Sequence, residues 1–325
     1  MKVTAILCTY NRCASLKKTL DSLAVSKAPS AIDWQVLVVD NNSKDDTRAV
    51  AESFAAREPA RFRYLFEPRQ GKSYALNSGI AAAEAADVLA FVDDDVVVEP
   101  EWLGNLVAPL VDTAWSGTGG KILPEAGFHS PAWLRFDASD TLAPLAMFDQ
   151  GDEACELKTT PFGTNMAFRR ELFARYGGFR IDLGPQPGSE IRNEDTEFGT
   201  RVLAGGERLW YVPTAVVYHA VPAKRATQAY FLKWWFDKAR ADVREEGALP
   251  SRGWRIGGVP LVLFRRFVRW GILFAFSTNP GRRFYCKTKV WSLCGTIRER
   301  FTQARNGRSG QDAALGSLKN PPVLK

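Results

Sequence analysis

The sequence is poor in the residues that metal knuckles and disulfide scaffolds require. Its 325 residues include five cysteines (Cys8, Cys13, Cys155, Cys286, Cys294) and two histidines (His129, His219). The cysteines are odd in number, widely spaced and form no CxxC pair. This excludes a zinc finger or a disulfide framework, and the expected setting is reducing and cytosolic. Nothing repeats at a fixed period, which excludes a solenoid or propeller. No Gly-x-Gly-x-x-Gly follows the first strand-like segment, and Gly117-Thr118-Gly119-Gly120-Lys121 lacks Walker spacing, so neither dinucleotide nor P-loop fingerprints are present. That glycine run reads as the entry to a strand. Met1-Lys2-Val3-Thr4-Ala5-Ile6-Leu7 turns polar too soon to read as a signal peptide. The apolar stretch Val259 to Phe276 is broken by Arg265, Arg266 and Arg269. Burying each arginine at mid-bilayer costs about 2.5–3.5 kcal/mol, which disfavours a membrane span.

What is present describes a globular chain: 46% hydrophobic and 24% charged residues. The length suits one large α/β domain with an appendage, or two modest domains. The net charge of +7 hides an asymmetry. Residues 1–221 hold 22 Lys/Arg and 30 Asp/Glu, whereas residues 222–325 hold 21 and 6. An acidic portion is thus followed by a strongly basic one, and such a segment suits an anionic membrane surface or nucleic acid. No nucleic-acid reading motif is recognisable, so a nucleic-acid partner is not expected.

Along the first part, buried strands alternate with helices. Val3 to Cys8, Gln35 to Asp40, Phe62 to Phe66 and Val88 to Val92 read as strands. Ser15 to Val25, Asp46 to Arg57 and Tyr74 to Ala86 read as helices, the first with Leu16, Leu20 and Leu23 at helical spacing. This alternation predicts an α/β fold with a mostly parallel sheet and helices on both faces. Ligands on such sheets bind beyond the carboxyl ends of the strands. Three strand ends deliver polar groups there: Thr9-Tyr10-Asn11-Arg12, Asp40-Asn41-Asn42 and Asp93-Asp94-Asp95. Three adjacent carboxylates after an apolar run repel one another and need water or a cation. A divalent metal carrying a diphosphate would supply one, and a solvated acidic turn is the alternative.

In order along residues 3–221 stand Thr9-Tyr10-Asn11-Arg12, Val38-Val39-Asp40-Asn41-Asn42-Ser43, Gly71 with Ala75, Asn77 and Gly79, and Phe91-Val92-Asp93-Asp94-Asp95. They are followed by Gly163-Thr164-Asn165-Met166-Ala167-Phe168-Arg169-Arg170, Gly177-Gly178-Phe179, Asn193-Glu194-Asp195 and His219. Each is weak alone. The ordered series resembles the inverting glycosyltransferases of family 2, which have the GT-A fold, a Rossmann-like nucleotide-diphospho-sugar transferase fold. The resemblance implies that Asp40 accepts from the base of a nucleotide diphosphate sugar, with Thr9, Tyr10, Asn11, Arg12, Asn42, Lys72 and Asn77 around the same donor. It implies that Asp93-x-Asp95 is the family's DxD motif. Asp93 then faces the ribose, Asp95 ligates Mn²⁺ or Mg²⁺, and Asp94 fills the variable position. A metal- or diphosphate-contacting His219 and a catalytic base at Asp195, beside Glu194, follow in the same way. The family usually has Gly before the acidic pair, and Asn193 stands here instead. Asn165, Met166 and Trp133 are candidates for the sugar or acceptor pocket, Trp133 with plain packing as its alternative. The Gly- and Pro-rich segment 182–192 reads as an acceptor-side loop.

The expected organisation is a catalytic domain over 1–221, a helical, basic, aromatic-rich membrane-associating region over 222–302 and a disordered tail over 303–325. The three arginines of 259–276 share an arc of roughly 100°, so an interfacial helix keeps them in water against anionic headgroups. The implied activity is sugar transfer with inversion to a saccharide or lipid-linked saccharide, in cell-surface polysaccharide or glycolipid synthesis. The implied location is cytoplasmic, peripheral on the inner membrane face. A catalytically silent nucleotide-binding or membrane scaffold on the same fold is the rival.

Overall fold

The computed structural model describes residues 1–111, 114–134, 139–187, 191–247 and 254–319. The chain divides into two compact units. The first comprises Met1–His129 with Leu142–Ala226, and the second Ser130–Thr141 with Thr227 onward.

The first unit begins as the alternation predicts. β1 (Lys2–Thr9), α1 (Cys13–Ala24), β2 (Asp33–Asp40), α2 (Thr47–Arg57), β3 (Phe62–Phe66), α3 (Lys72–Ala82) and β4 (Val88–Asp93) follow in order. Their strands pair in parallel as β3-β2-β1-β4. These strands read as unbroken apolar runs because both faces of a helix-covered parallel sheet are buried. Beyond them come β5 (Val96–Val98), α4 (Trp102–Val107), β6 (Gly117–Pro124), β7 (Cys155–Leu157), β8 (Asn165–Arg169), α5 (Glu171–Tyr176), α6 (Glu194–Ala204) and β9 (Leu209–His219). The full path is β3-β2-β1-β4-β8-β6-β9-β5, with β7 on β9. β8 runs antiparallel to both β4 and β6, and β5 runs antiparallel to β9. Consequently the ends of β1, β2, β4, β6 and β9 and the start of β8 meet at one edge of the sheet.

The glycine run of β6 is structural. A Cβ on Gly117 would lie 2.5 Å from the Phe168 ring, and one on Gly120 would lie 2.3 Å from both Ala215 O and Asn165 Nδ2. β9 bulges beside it: Gly120 pairs with Val212 but Lys121 with Val216. Beneath the edge, Phe91, Phe168, Phe173, Phe179 and Phe198 form a contiguous ring cluster, with Phe173 stacked on Phe198 at 4.4 Å. Phe198 lies one turn below Asp195, so this cluster fixes the start of α6. Truncating such a ring costs about 3–5 kcal/mol.

The second unit contains α7 (Gln228–Glu246), the small hairpin β10 (Arg255–Ile256) and β11 (Val259–Pro260), α8 (Leu261–Phe276) and α9 (Pro280–Lys319). Thr227 caps α7 by accepting from Tyr230 N at 3.3 Å. α7 and α9 pack closely: a Cβ on Gly295 would meet Phe236 O at 2.1 Å. Glu299 of α9 is buried and receives Arg240 and Arg244 of α7 at 2.9 and 2.7 Å. The expectation of disorder from 303 meets a helix that continues to Lys319; residues 320–325 lie outside the described ones. Among the described residues, no helix is long and apolar enough to cross a membrane.

Candidate active site

The loops at the carboxyl edge hold unusual backbone conformations. Asn11, Asn42 and Asn193 have φ of 51°, 64° and 79°. The left-handed region is costly for side chains, and asparagine tolerates it best after glycine. At Asn193, which precedes α6, this accounts for the departure from the family's glycine: the position demands positive φ, and Asn meets that demand. The first two loops are laced together, because Asn11 N donates to Ser43 Oγ at 2.9 Å and Lys44 N donates to Asn11 Oδ1 at 2.6 Å.

Two clusters of carboxylates sit at the edge. In the first, Lys72 at the start of α3 reaches Asp93 Oδ1 at 3.0 Å and Glu194 Oε1 at 3.3 Å. Thr164 Oγ1 donates to Asp93 Oδ2 at 2.6 Å. The Asp195 side chain accepts from two backbone donors, Gly163 N on Oδ2 and Thr196 N on Oδ1, both at 2.7 Å. Burial opposes the charge on Lys72, but Asp93, Glu194 and Asp195 outweigh it and raise its pKa well above the ordinary lysine value. Burial also raises Glu194, helped by Asp195 and opposed by Lys72. A void of about 10 Å³, room for one water, lies among Cys8, Lys72, Asp93, Met166, Glu194 and Asp195.

In the second cluster Asp95 is central. Its Oδ1 lies 3.3 Å from His219 Nε2, and its Oδ2 takes Arg12 Nη1 at 2.8 Å and Arg225 Nη2 at 3.2 Å. Arg225 Nη1 also stands 3.2 Å from His219 Nε2. Burial works against the Asp95 carboxylate, yet His219, Arg12 and Arg225 together hold its pKa below the ordinary carboxylate range. Asp94 points the other way. It is 5% exposed, pairs with Arg12 Nη1 at 2.9 Å, and burial lifts it to about 6 against the pull of Arg12. Adjacent in sequence, the two carboxyls are thus driven to opposite sides of the normal range by their surroundings.

This arrangement has relatives. The model of the family described as Glycosyl transferase family 2 matches residues 4–177. The chain belongs to glycosyltransferase family 2. It is 30% identical over 228 residues to the succinoglycan biosynthesis protein ExoM of Rhizobium meliloti (strain 1021), covering 70% of this chain and 69% of that one. It is 28% identical to the glucosyl-dolichyl phosphate glucuronosyltransferase of Haloferax volcanii, covering 67% and 69%. Among solved structures it is similar to the mannosyltransferase PcManGT from Pyrobaculum calidifontis in complex with GDP-Man and Mn2+. There the TM-score is 0.56 and the identity 21%, over 96% of this chain and 75% of that one. The fold is GT-A.

In this family 2 glycosyltransferase the edge unites Thr9, Tyr10, Asn11, Arg12, Asp40, Asn42, Lys72, Asp93, Asp95, Glu194, Asp195 and His219. Asp40 is 1% exposed and accepts from Ser43 N at 2.9 Å and Tyr64 Oη at 3.0 Å, so it shapes the turn after β2. Tyr10 is exposed on the loop after β1, and the Thr9 side chain is buried beside Asp94. Asn42 spans its loop to Pro68 O at 3.1 Å.

Four expectations are corrected. Asn77 is not free for a donor: both ends of its amide bind the backbone of Phe179 at 2.8 Å. Asn165 is fully buried. Its Oδ1 accepts from Trp102 Nε1 at 2.8 Å, and its Nδ2 donates to Lys121 O and to Ala215 O in the β9 bulge at 3.0 and 2.8 Å. Its amide is therefore used up in the core and has no group left for a sugar. Met166 is a core side chain under the void, 1% exposed. Trp133 belongs to the second unit, where its ring packs edge-on against Phe231 and Phe284 at 5.2 and 4.6 Å, the packing alternative.

Of the loop 182–192, residues 188–190 lie outside the described ones. Its start is tied to α3, where Lys72 N donates to Pro185 O at 3.0 Å and Ser73 Oγ to Leu183 O at 2.8 Å. Arg225 and Thr164 were missed as site residues. Arg225 stands in a basic stretch and only the return of β9 brings it to Asp95. Thr164 was visible in its motif, but nothing in the sequence gave it a role.

Proposed function

We propose that the chain transfers a sugar from a nucleotide diphosphate sugar to a hydroxyl of a saccharide or lipid-linked saccharide, inverting the anomeric carbon. The observation that carries this reading is the carboxylate of Asp195, held by two backbone N–H groups beside the Lys72–Asp93–Glu194 cluster. In the proposed reaction the acceptor oxygen bonds to the anomeric carbon as the bond from that carbon to the diphosphate breaks. The acceptor's proton passes to Asp195, and Arg12, Arg225 and Lys72 face the charge that accumulates on the leaving diphosphate. Glu194, buried and 3.3 Å from Lys72 Nζ, is assigned to positioning Lys72 rather than touching substrate. Asp93, braced by Lys72 and Thr164, is assigned to the ribose side. Asp94 positions Arg12.

The donor set suits a hard divalent cation. Asp95 and His219 face one another at the edge, and no group of three or more His, Cys, Asp or Glu among the described residues is placed to cage a metal alone. Two protein ligands, with phosphate oxygens and water completing the shell, is the usual provision for Mg²⁺ or Mn²⁺. Such an ion, when bound, neutralises charge on the diphosphate. The Mn²⁺ and GDP-Man held by the mannosyltransferase relative support this assignment. The names of the succinoglycan and dolichyl phosphate relatives support an acceptor in polysaccharide or glycolipid synthesis. The strongly basic residues 222–325 support a peripheral position on an anionic inner membrane face. A silent scaffold would have no use for a base held by two N–H groups.

The test is a panel of nucleotide sugars with Mn²⁺, scored by slow donor hydrolysis and thermal shift. One donor should respond. Asp195→Asn should lower turnover about 10²–10⁴-fold while keeping the donor-induced thermal shift. A panel with no response, or a variant with unchanged turnover, would sink the assignment.

A further inference from the structure

α8 is a helix without a single buried residue. Leu263, Trp270 and Phe274 share one side of it. Two of these meet α9: Trp270 packs edge-on against Tyr285 at 5.9 Å, and Arg283 lies over the Phe274 ring at 5.1 Å. A second apolar arc has no such cover. Val268, Ile272 and Phe276 are 58%, 53% and 83% exposed; at helical spacing Arg265 falls within this arc, towards the start of the helix, and Arg269 lies at its edge beside Phe276. The β10–β11 hairpin just before α8 adds Trp254, 87% exposed, and Ile256.

We propose that this face of α8, with Trp254 as a second anchor, lies flat on an anionic lipid leaflet. The inference rests on the peripheral membrane reading above and names the surface that carries it. Three features select lipid as the occupant. Residues 247–298 hold ten Lys/Arg and no Asp or Glu, so the segment around α8 is uniformly cationic. The exposed side chains are aliphatic and aromatic, suited to the headgroup–acyl boundary, whereas nucleic acid would meet the arginines but leave Ile272 and Val268 against water. A second copy seated on the same face would bring two arginine rows together at a cost. A helix of 16 residues is also only about 24 Å long, short of the roughly 30 Å hydrocarbon core, so it rests on the bilayer and does not traverse it.

The experiment is density-gradient flotation of the full chain with vesicles of phosphatidylcholine alone and of phosphatidylcholine mixed with phosphatidylglycerol. The chain should float with the mixed vesicles, less so at high salt, with a blue shift in tryptophan emission that Trp254→Phe diminishes. Ile272→Glu with Val268→Glu should abolish flotation, and Arg265→Gln with Arg269→Gln should weaken it about fivefold per arginine, with circular dichroism unchanged in each. Flotation that survives the double glutamate variant would overturn the assignment of this face and leave membrane attachment itself standing. No flotation of the wild-type chain would overturn both. Loss of a dimer, in sedimentation velocity, on Ile272→Glu without any flotation would assign the face to self-association instead. Donor hydrolysis in the absence of vesicles tests the catalytic reading separately from all of these.

Discussion

Replacing Asn165 separates a structural amide from a substrate contact. Its side chain closes three hydrogen bonds inside the core, to Trp102 Nε1, Lys121 O and Ala215 O. Asn165→Ala strands the indole N–H, which costs about 1–3 kcal/mol in a buried setting, and removes two bonds to carbonyls at about 0.5–1.5 kcal/mol each. The expected total is about 2–6 kcal/mol. For a unit of this size each kcal/mol moves the melting midpoint by roughly 2–4 °C, so Tm should fall by about 4–24 °C, centred near 12 °C. Asn165→Asp is nearly isosteric, yet it turns the donor into an oxygen facing two carbonyls and should be no milder. The assay is a thermal melt read beside steady-state kinetics. A variant whose Tm stays within a degree or so of wild type while the donor KM rises tenfold would refute the structural reading and return Asn165 to the sugar pocket.

The metal assignment predicts that a chelator stops transfer and that added Mn²⁺ restores it. Asp95→Asn and His219→Ala should each raise the Mn²⁺ concentration needed for half-maximal rate by about 10–100-fold, and an unchanged requirement would exclude them as ligands. Glu67 is buried and is pulled down to about 2 by its hydrogen bonds from Arg69, against burial and with help from Ser78. A depressed carboxyl stabilises the fold above its ordinary pKa, and this is lost as pH falls from about 4.5 through 2. Allowing for the exposed Arg69 partner, Glu67→Gln should cost about 1–2 kcal/mol at pH 7 and progressively less towards pH 2; a pH-independent Tm difference would contradict this. Asn193→Gly should preserve stability and activity, whereas Asn193→Val forces a β-branched residue to φ 79° and should cost about 1–3 kcal/mol, measured by chemical denaturation.

The first half of the sheet was legible because parallel strands buried on both faces are simple apolar runs, and the polar ends of β1, β2 and β4 name the edge where ligands bind. The antiparallel returns were harder. β8 and β9 interleave through long connections, and no local pattern says that β8 inserts between β4 and β6. Amides misled most. Asn77 and Asn165 sit in the right motifs, but a sequence does not distinguish an amide that reads a ligand from one that plugs a backbone gap. The gap at the β9 bulge exists only once the strands are paired. Trp133 failed for a related reason: its partners Phe231 and Phe284 are about 100 and 150 residues away in the chain and have no common pattern. Conversely, the positive φ at Asn193 was foreshadowed by its departure from glycine in an otherwise conforming motif.

The guanidiniums at Asp95 give the site an internal counterion supply. Arg12 and Arg225 already neutralise the Asp95 carboxylate. On the proposed reading, the residues that would hold the cation are therefore never left bare: the same two guanidiniums would answer the carboxylate in an empty site and the diphosphate in a loaded one.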